Sequence, residues 1–391
     1  MTEHAPMNLA GNEETQNQTP RIALALGGGG ARAAYQVGVL RAIARIYPEL
    51  RIPILTGVSA GAINISHLAN HTGSFHEKID GLSGLWRSLQ LDNVFTTSGP
   101  SLLWRALRVG IRLALGRAPG VRGVHGMVDT QPLRLFLRNA LHADNGCLPG
   151  IQENIEHGRL EGVALTALSY GTGDTVTFHQ GQAMAGWGQM RRRNINTPLT
   201  VEHVMASAAL PLFFPPIQID EDWYGDGGIR LVSPLAPALL LGANRILAIS
   251  NHYVGGSCEL RPVTEPPSPA TVLSSLYNAV FLDQLDHDVV EMQMINKLVH
   301  ELPPERRMGF REIKLLVIRP SEDIAAIAYE LRHQIPPTLH HLLGRLGAGD
   351  IGSQDFLSTV LFQTTFIERM MQVGERDGES QAPRIRRFFE G

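Results

Sequence analysis

The stretch RIALALGGGGARAAYQVGVLRAIARIY, residues 21–47, joins a short apolar run to a glycine loop and then to a helical pattern. Arg21 to Leu26 has the length and composition of a buried strand, and from Arg32 to Tyr47 the residues Val37, Leu40, Ala44 and Tyr47 recur at helical spacing. Residues 53–70, PILTGVSAGAINISHLAN, repeat the arrangement: an apolar run from Pro53 to Val58, a small-residue turn from Ser59 to Gly61, and a helix-like stretch from Ala62 to about Asn70. Two consecutive strand-loop-helix units predict a parallel α/β sheet with helices on its faces.

Further along the chain, Val163 to Ser169, Thr175 to His179, Arg245 to Ser250 and Ile313 to Ile318 are short, apolar or β-branched runs bounded by turn or charged residues, as strands are. They bring the expected sheet to six or so strands. A Pro-, Ser- and Glu-rich stretch between Ser257 and Pro269 reads as an exposed connection. Residues 271–300 and 321–373 look mainly helical, with the strand-like 313–318 between them. The expected organisation is a disordered tail over 1–20, an α/β domain over 21–253, a linker or exposed loop over 254–270, and a mainly helical region over 271–391 that packs back on the sheet.

Of 391 residues, 43% are hydrophobic and 18% charged, enough apolar material for a substantial core. The net charge of −3 provides no global basic field, so nucleic acid is not an expected partner. Cys147 and Cys258 are too few for a disulfide framework and lack the paired spacing of a zinc site. Residues 1–20 have neither the basic nor the apolar region of a signal peptide, and no run of about 18 uncharged apolar residues occurs. The expectation is a cytoplasmic protein without metal or cofactor.

Gly57-Val58-Ser59-Ala60-Gly61 is a G-x-S-x-G sequence between an expected strand and an expected helix, the context in which it forms a nucleophile elbow. By itself it fits an idle glycine turn equally well. The loop Gly27 to Gly30, followed by Ala31 and Arg32, offers unobstructed backbone N–H groups at a helix start and suits an anion. That anion is either a phosphate or the oxyanion of a tetrahedral acyl intermediate. Gly28-x-Gly30-x-x-Ala33 satisfies a dinucleotide fingerprint, but Ser59 stands where that fold needs an acidic residue. The best acid for a serine nucleophile is Asp226, set between Gly225 and the pair Gly227 and Gly228 in a tight turn. Histidines follow at 252, 287, 300, 333, 340 and 341, and only His252 stands just after an expected strand.

Four blocks together resemble the patatin-like phospholipases in order and content. Gly28-Gly29-Gly30-Ala31-Arg32-Ala33 resembles their G-G-G-x-[KR]-G oxyanion loop, with Ala33 replacing the last glycine. Gly57 to Gly61 resembles their elbow and Asp226-Gly227-Gly228 their D-G-G, while Ala206-Ser207 with Pro211, Phe214 and Pro216 is similar to the A-S-x-x-x-P-x-x-F-x-P block between them. The resemblance spans residues 21 to about 240. It implies a three-layer α/β fold with a mainly parallel central sheet, a mostly helical C-terminal region, and a catalytic domain over 21–253 that hydrolyses lipid esters. Ser59 would be the nucleophile and Asp226 its direct base, with Gly28, Gly29, Gly30 and Arg32 around the oxyanion. Two readings remain beside it: an α/β-hydrolase or acyltransferase with a Ser–His pair, and a non-catalytic dinucleotide- or phosphate-binding module.

Residues 101–116 place Arg105, Arg108 and Arg112 among leucines, Trp104 and Ile111, a basic amphipathic pattern. It suits either peripheral membrane contact or a helix packed on the sheet with its arginine heads in water.

Overall fold

A computed structural model of the chain describes residues 20–94, 128–184, 191–211, 213–255, 266, 272, 275–276, 278–280, 283–334 and 354–391. The basic amphipathic segment 101–116, most of the connection 254–270 and the tail 1–19 lie outside the described residues.

The first strand, β1 (Ile22–Leu26), is buried along its whole length, as an apolar run covered on both faces must be. Ile22, Leu24 and Leu26 point into the larger core, whereas Ala23 and Ala25 point into a smaller one on the opposite face. That alternation gives the three layers. A 3-10 turn over Gly30–Ala33 leads into helix α1 (Ala34–Ile46), so the regular helix starts two residues later than the periodicity suggests. Strand β2 (Ile54–Val58) and helix α2 (Ala60–Asn70) form the second unit, followed by helix α3 (Phe75–Ser88).

The remaining strands are β3 (Gly162–Ser169), β4 (Thr175–Gly181), β5 (Arg192–Asn196), β6 (Ile217–Ile219), β7 (Asp222–Asp226), β8 (Arg245–Ile249) and β9 (Lys314–Ile318). Among the described residues the sheet has nine strands, in the main order β5-β4-β3-β2-β1-β8-β9. The centre is parallel from β3 through β9, β4 runs antiparallel to β3, and β5 runs parallel to β4. Three strands escape the sequence pattern for a physical reason. RRNIN of β5 is a polar, partly exposed edge, and β6 and β7 are a short hairpin turning at Asp220, whose φ is 53°.

The C-terminal part belongs to the same body. Strand β9 extends the sheet beyond β8, and the helix Thr364–Ser380 lies along α1 with the two backbones in near contact. A Cβ on Gly38 would sit 2.0 Å from the Met371 carbonyl oxygen, and one on Gly374 would sit 2.1 Å from that of Tyr35. The Tyr35 hydroxyl donates to Asp377 at 3.0 Å across this buried interface, and Arg41 pairs with Glu375 at 2.9 Å at its edge. Among the described residues no helix is long and apolar enough to cross a membrane.

Candidate active site

The site forms where strand ends meet. β1 and β2 are parallel neighbours with Leu26 opposite Gly57, so the glycine loop after one and the Ser59 turn after the other emerge side by side at the carboxyl edge of the sheet. The acid arrives by a different route. β2 pairs with β3 only as far as Val58 opposite Thr166, while β4 covers the other side of β3. β7 then takes up the lane that β2 vacates, antiparallel to β3, with Asp226 opposite Ala167. The end of β7 therefore faces the residue that follows β2, which is Ser59.

Ser59 adopts φ 56° and ψ −129°, a conformation uncommon for any residue with a side chain, and is 7% exposed. Its neighbours must be glycine for the turn to close. A Cβ on Gly57 would lie 2.7 Å from the Gly61 carbonyl oxygen, and one on Gly61 would lie 2.3 Å from that of Leu26. The Ser59 N–H donates to Ser207 Oγ at 3.0 Å, and the Ser207 hydroxyl donates to the Thr166 carbonyl at 2.6 Å. The same block holds the acid, because the Asp226 N–H donates to the Ala209 carbonyl at 3.0 Å.

Asp226 has no solvent exposure. One carboxylate oxygen accepts the Gly228 N–H at 2.8 Å, and the other is buried without a completed hydrogen bond. Burial raises its pKa to about 7, although the nearby Ser59 hydroxyl and the Gly228 N–H both favour the ionised form. Gly227 lets the turn press against β3, where a Cβ would stand 2.3 Å from the Thr166 carbonyl oxygen.

The glycine loop touches the serine directly, since a Cβ on Gly28 would meet Ser59 Cβ at 2.9 Å. Gly29 and Gly30 have φ of 144° and 56°, which side chains resist. The N–H groups of Gly28 and Gly29 donate to no acceptor among the described residues, so both are free for a ligand. Their orientation is fixed from behind. Asn251 Nδ2 donates to the Gly28 carbonyl at 2.7 Å and Gln36 Nε2 to the Gly27 carbonyl at 2.9 Å; Gln36 is held by Asn64, which accepts from the Trp86 indole at 2.6 Å. Sequence reasoning missed Asn251, Gln36, Asn64 and the function of Ser207. Only the place of Ser207 in the A-S block was a signal.

Arg32 steadies the loop instead of taking the place around the oxyanion that the family resemblance implies. Its side chain is buried and turned to the C-terminal segment, where it donates to Ser358 Oγ at 2.5 Å and pairs with Asp355 at 2.6 Å. Its N–H is also taken, by the Gly29 carbonyl at 3.2 Å. The residue thus steadies the loop, with its Nε, Nη2 and backbone N–H engaged away from an oxyanion. Burial works to raise the Asp355 carboxyl, but the Arg32 charge and the hydrogen bonds from Arg32 and Asn278 together hold that carboxyl below its usual range.

Beside Ser59 and Gly30 lies a narrow apolar pocket, walled by Ile63, Trp86, Leu133, Phe214, Val360 and Phe362. Three of the candidate histidines hold partners of their own: His252 pairs with Asp286 at 2.8 Å, His300 with Glu312 at 3.1 Å, and His333 with the Glu330 carbonyl at 3.1 Å. His340 and His341 lie outside the described residues.

A parallel α/β sheet with a strained serine turn beside a free glycine loop and a buried acid defines a class of protein, and comparison with known proteins agrees with it. The family model of patatin-like phospholipases matches residues 24–239, more than half of the chain, and the chain belongs to that family. VipD from Legionella pneumophila is similar in structure at 12% identity and a TM-score of 0.36, covering 88% of this chain and 67% of its own. Human GIVD cytosolic phospholipase A2, solved in complex with methyl gamma-linolenyl fluorophosphonate, is similar at 13% identity and a TM-score of 0.45, and this chain, 95% covered, spans 59% of its length. ExoU of Pseudomonas aeruginosa, solved with SpcU, gives 15% identity and a TM-score of 0.27, over 93% of this chain and 75% of its own. No curated protein matches the chain significantly.

Proposed function

We propose that the protein is a lipid acyl hydrolase that cleaves carboxylic esters with Ser59 as nucleophile and Asp226 as its only base. The observation that carries this reading is the state of Asp226: fully enclosed, with one oxygen unpartnered, a pKa raised to about 7, and Ser59 as its polar neighbour. A carboxylate with a pKa near neutrality accepts a proton far better than an exposed one does.

Asp226 takes the Ser59 hydroxyl proton as Oγ bonds to the ester carbonyl carbon. The carbonyl π electrons move to oxygen, and the N–H groups of Gly28 and Gly29 hold the resulting oxyanion. As the carbonyl reforms, the alcohol leaves with the proton from Asp226. Water, deprotonated by Asp226, attacks the acyl-enzyme; Ser59 recovers the proton and the fatty acid departs. The apolar cavity beside Ser59 suits the acyl chain, and membership of the family supports a phospholipid or related lipid ester as substrate.

A Ser–His arrangement is disfavoured by the partners of His252, His300 and His333, and a dinucleotide site by Ser59 itself, which fills the position facing the glycine loop. The deciding experiment is hydrolysis of p-nitrophenyl butyrate and labelling by a fluorophosphonate. Wild type should turn over and be labelled, and folded Ser59→Ala should do neither; retained turnover in that variant would refute the assignment.

A further inference from the structure

The family match ends at residue 239, yet part of the pocket at Ser59 comes from far beyond it. The helix Gln354–Val360 and the residues after it press onto the glycine loop: a Cβ on Gly30 would stand 2.2 Å from the Thr359 carbonyl oxygen. Thr359, Val360 and Phe362 then line the apolar pocket next to Ser59, together with Ile63, Trp86 and Leu133.

This wall is fastened independently of its apolar contacts. Arg32 binds both Asp355 and Ser358, Asn278 donates to the second Asp355 oxygen at 2.6 Å, and the Ser358 hydroxyl donates to the Asp355 carbonyl at 2.6 Å. An arginine 3% exposed cannot release its carboxylate cheaply, because the guanidinium would be left as a buried unpaired charge. The segment is therefore a fixed boundary of the pocket, and its distance from the serine is set by the same arginine that ends the glycine loop.

We propose that Thr359, Val360 and Phe362 determine acyl-chain length selectivity. This rests on the acyl-hydrolase reading and adds to it which residues measure the acyl group. Chain length enters the rate through apolar contact made beyond the carbonyl, and these three side chains supply that contact from the C-terminal side. Filling the cavity at Val360 should exclude the outer methylenes of a long chain, whereas trimming Phe362 should admit more of them.

The test uses the full chain and a p-nitrophenyl ester series from acetate to palmitate, with ethyl- and dodecyl-fluorophosphonate labelling of Ser59 followed by intact mass. Val360→Phe should lower kcat/KM for long esters relative to acetate by about tenfold, the factor expected when roughly two methylenes lose their burial. Phe362→Ala should move the optimum to longer chains. Should the first variant melt prematurely, Phe362→Leu changes the same wall with less disturbance and should shift the optimum in the direction of Phe362→Ala. Folded variants with the wild-type chain-length profile, while Ser59 is still labelled, would overturn the wall alone. Absence of labelling and turnover in wild type would overturn both the wall and the acyl-hydrolase reading.

Discussion

Gly28 and Ser59 are in contact, and the space for a side chain on Gly28 is already occupied by the serine: its Cβ would come to 2.9 Å of Ser59 Cβ and 3.4 Å of Oγ. Gly28 lies outside the positive-φ set that includes Gly29 and Gly30, so alanine there suits the backbone and its close contacts are with Ser59. Gly28→Ala should keep its melting temperature within a few degrees while kcat/KM on a short ester falls by about a hundredfold, the usual effect of displacing a reacting group by an ångström. Unchanged kinetics would show that the two residues do not act together.

Asp226→Asn should abolish turnover and also change how stability depends on pH. The folded carboxyl titrates near 7, above its unfolded value of about 3.9, so the native state of wild type is protonated in between and loses stability as pH rises through that window. The amide carries no charge to desolvate. The Asp226→Asn variant should thus be more stable than wild type at pH 8, by an amount on the order of a few kcal/mol, and the difference should vanish towards pH 4. Thermal melts of both proteins across that range measure it, and a pH-independent difference would contradict the raised pKa.

The same titration sets the activity profile. With the ionised carboxylate as the proposed base, kcat/KM on a short ester should rise with pH through an apparent pKa of about 7. An imidazole base would give nearly the same curve, so burial of Asp226 removes pH as a means of distinguishing the two. Single alanine substitutions at His252, His287, His300, His333, His340 and His341 make the distinction instead. Each should stay within a few-fold of wild type, and a folded histidine variant as inactive as Ser59→Ala would replace the dyad with a Ser–His enzyme.

Ser207→Ala should damage both fold and chemistry. It strips the Ser59 N–H of its acceptor and the Thr166 carbonyl of a donor at a fully buried position. Unmet buried groups of this kind cost about 1–3 kcal/mol. The elbow should also lose its fixed orientation. Denaturant unfolding and kcat on the short ester read the two effects; a variant impaired in stability alone would limit Ser207 to packing.

At the interface between α1 and the helix Thr364–Ser380, Gly374→Ala tests a sign. Alanine at an exposed helix position gains up to about 1 kcal/mol over glycine. Here the new Cβ would stand 2.1 Å from the Tyr35 carbonyl oxygen, so overpacking should prevail at about 1–3 kcal/mol and lower the melting temperature. A stabilised Gly374→Ala protein would mean that the two helices separate easily.

The two strand-loop-helix units, the glycine loop and the serine turn are legible in the sequence alone, because each depends on residues only a few positions apart. Apolar runs, helical spacing and glycines that permit a tight turn are local properties, and adjacent parallel strands then place both loops at one edge. The Asp-Gly-Gly turn likewise marks Asp226 as the candidate acid, but not what suits it to that role. That comes from the folded chain, through β7 entering the lane beyond β2 and through complete burial, which is what lifts the carboxyl to about 7. Arg32 shows the same division: the family resemblance places it around the oxyanion, but its charge is taken by Asp355, 323 residues away along the chain. Asn251 reaches Gly28 across 223 residues, and the Thr359 wall closes on Gly30 from still farther. Such partners leave no periodicity or spacing to read, since a buried polar group is satisfied by whatever the folded chain brings within about 3 Å.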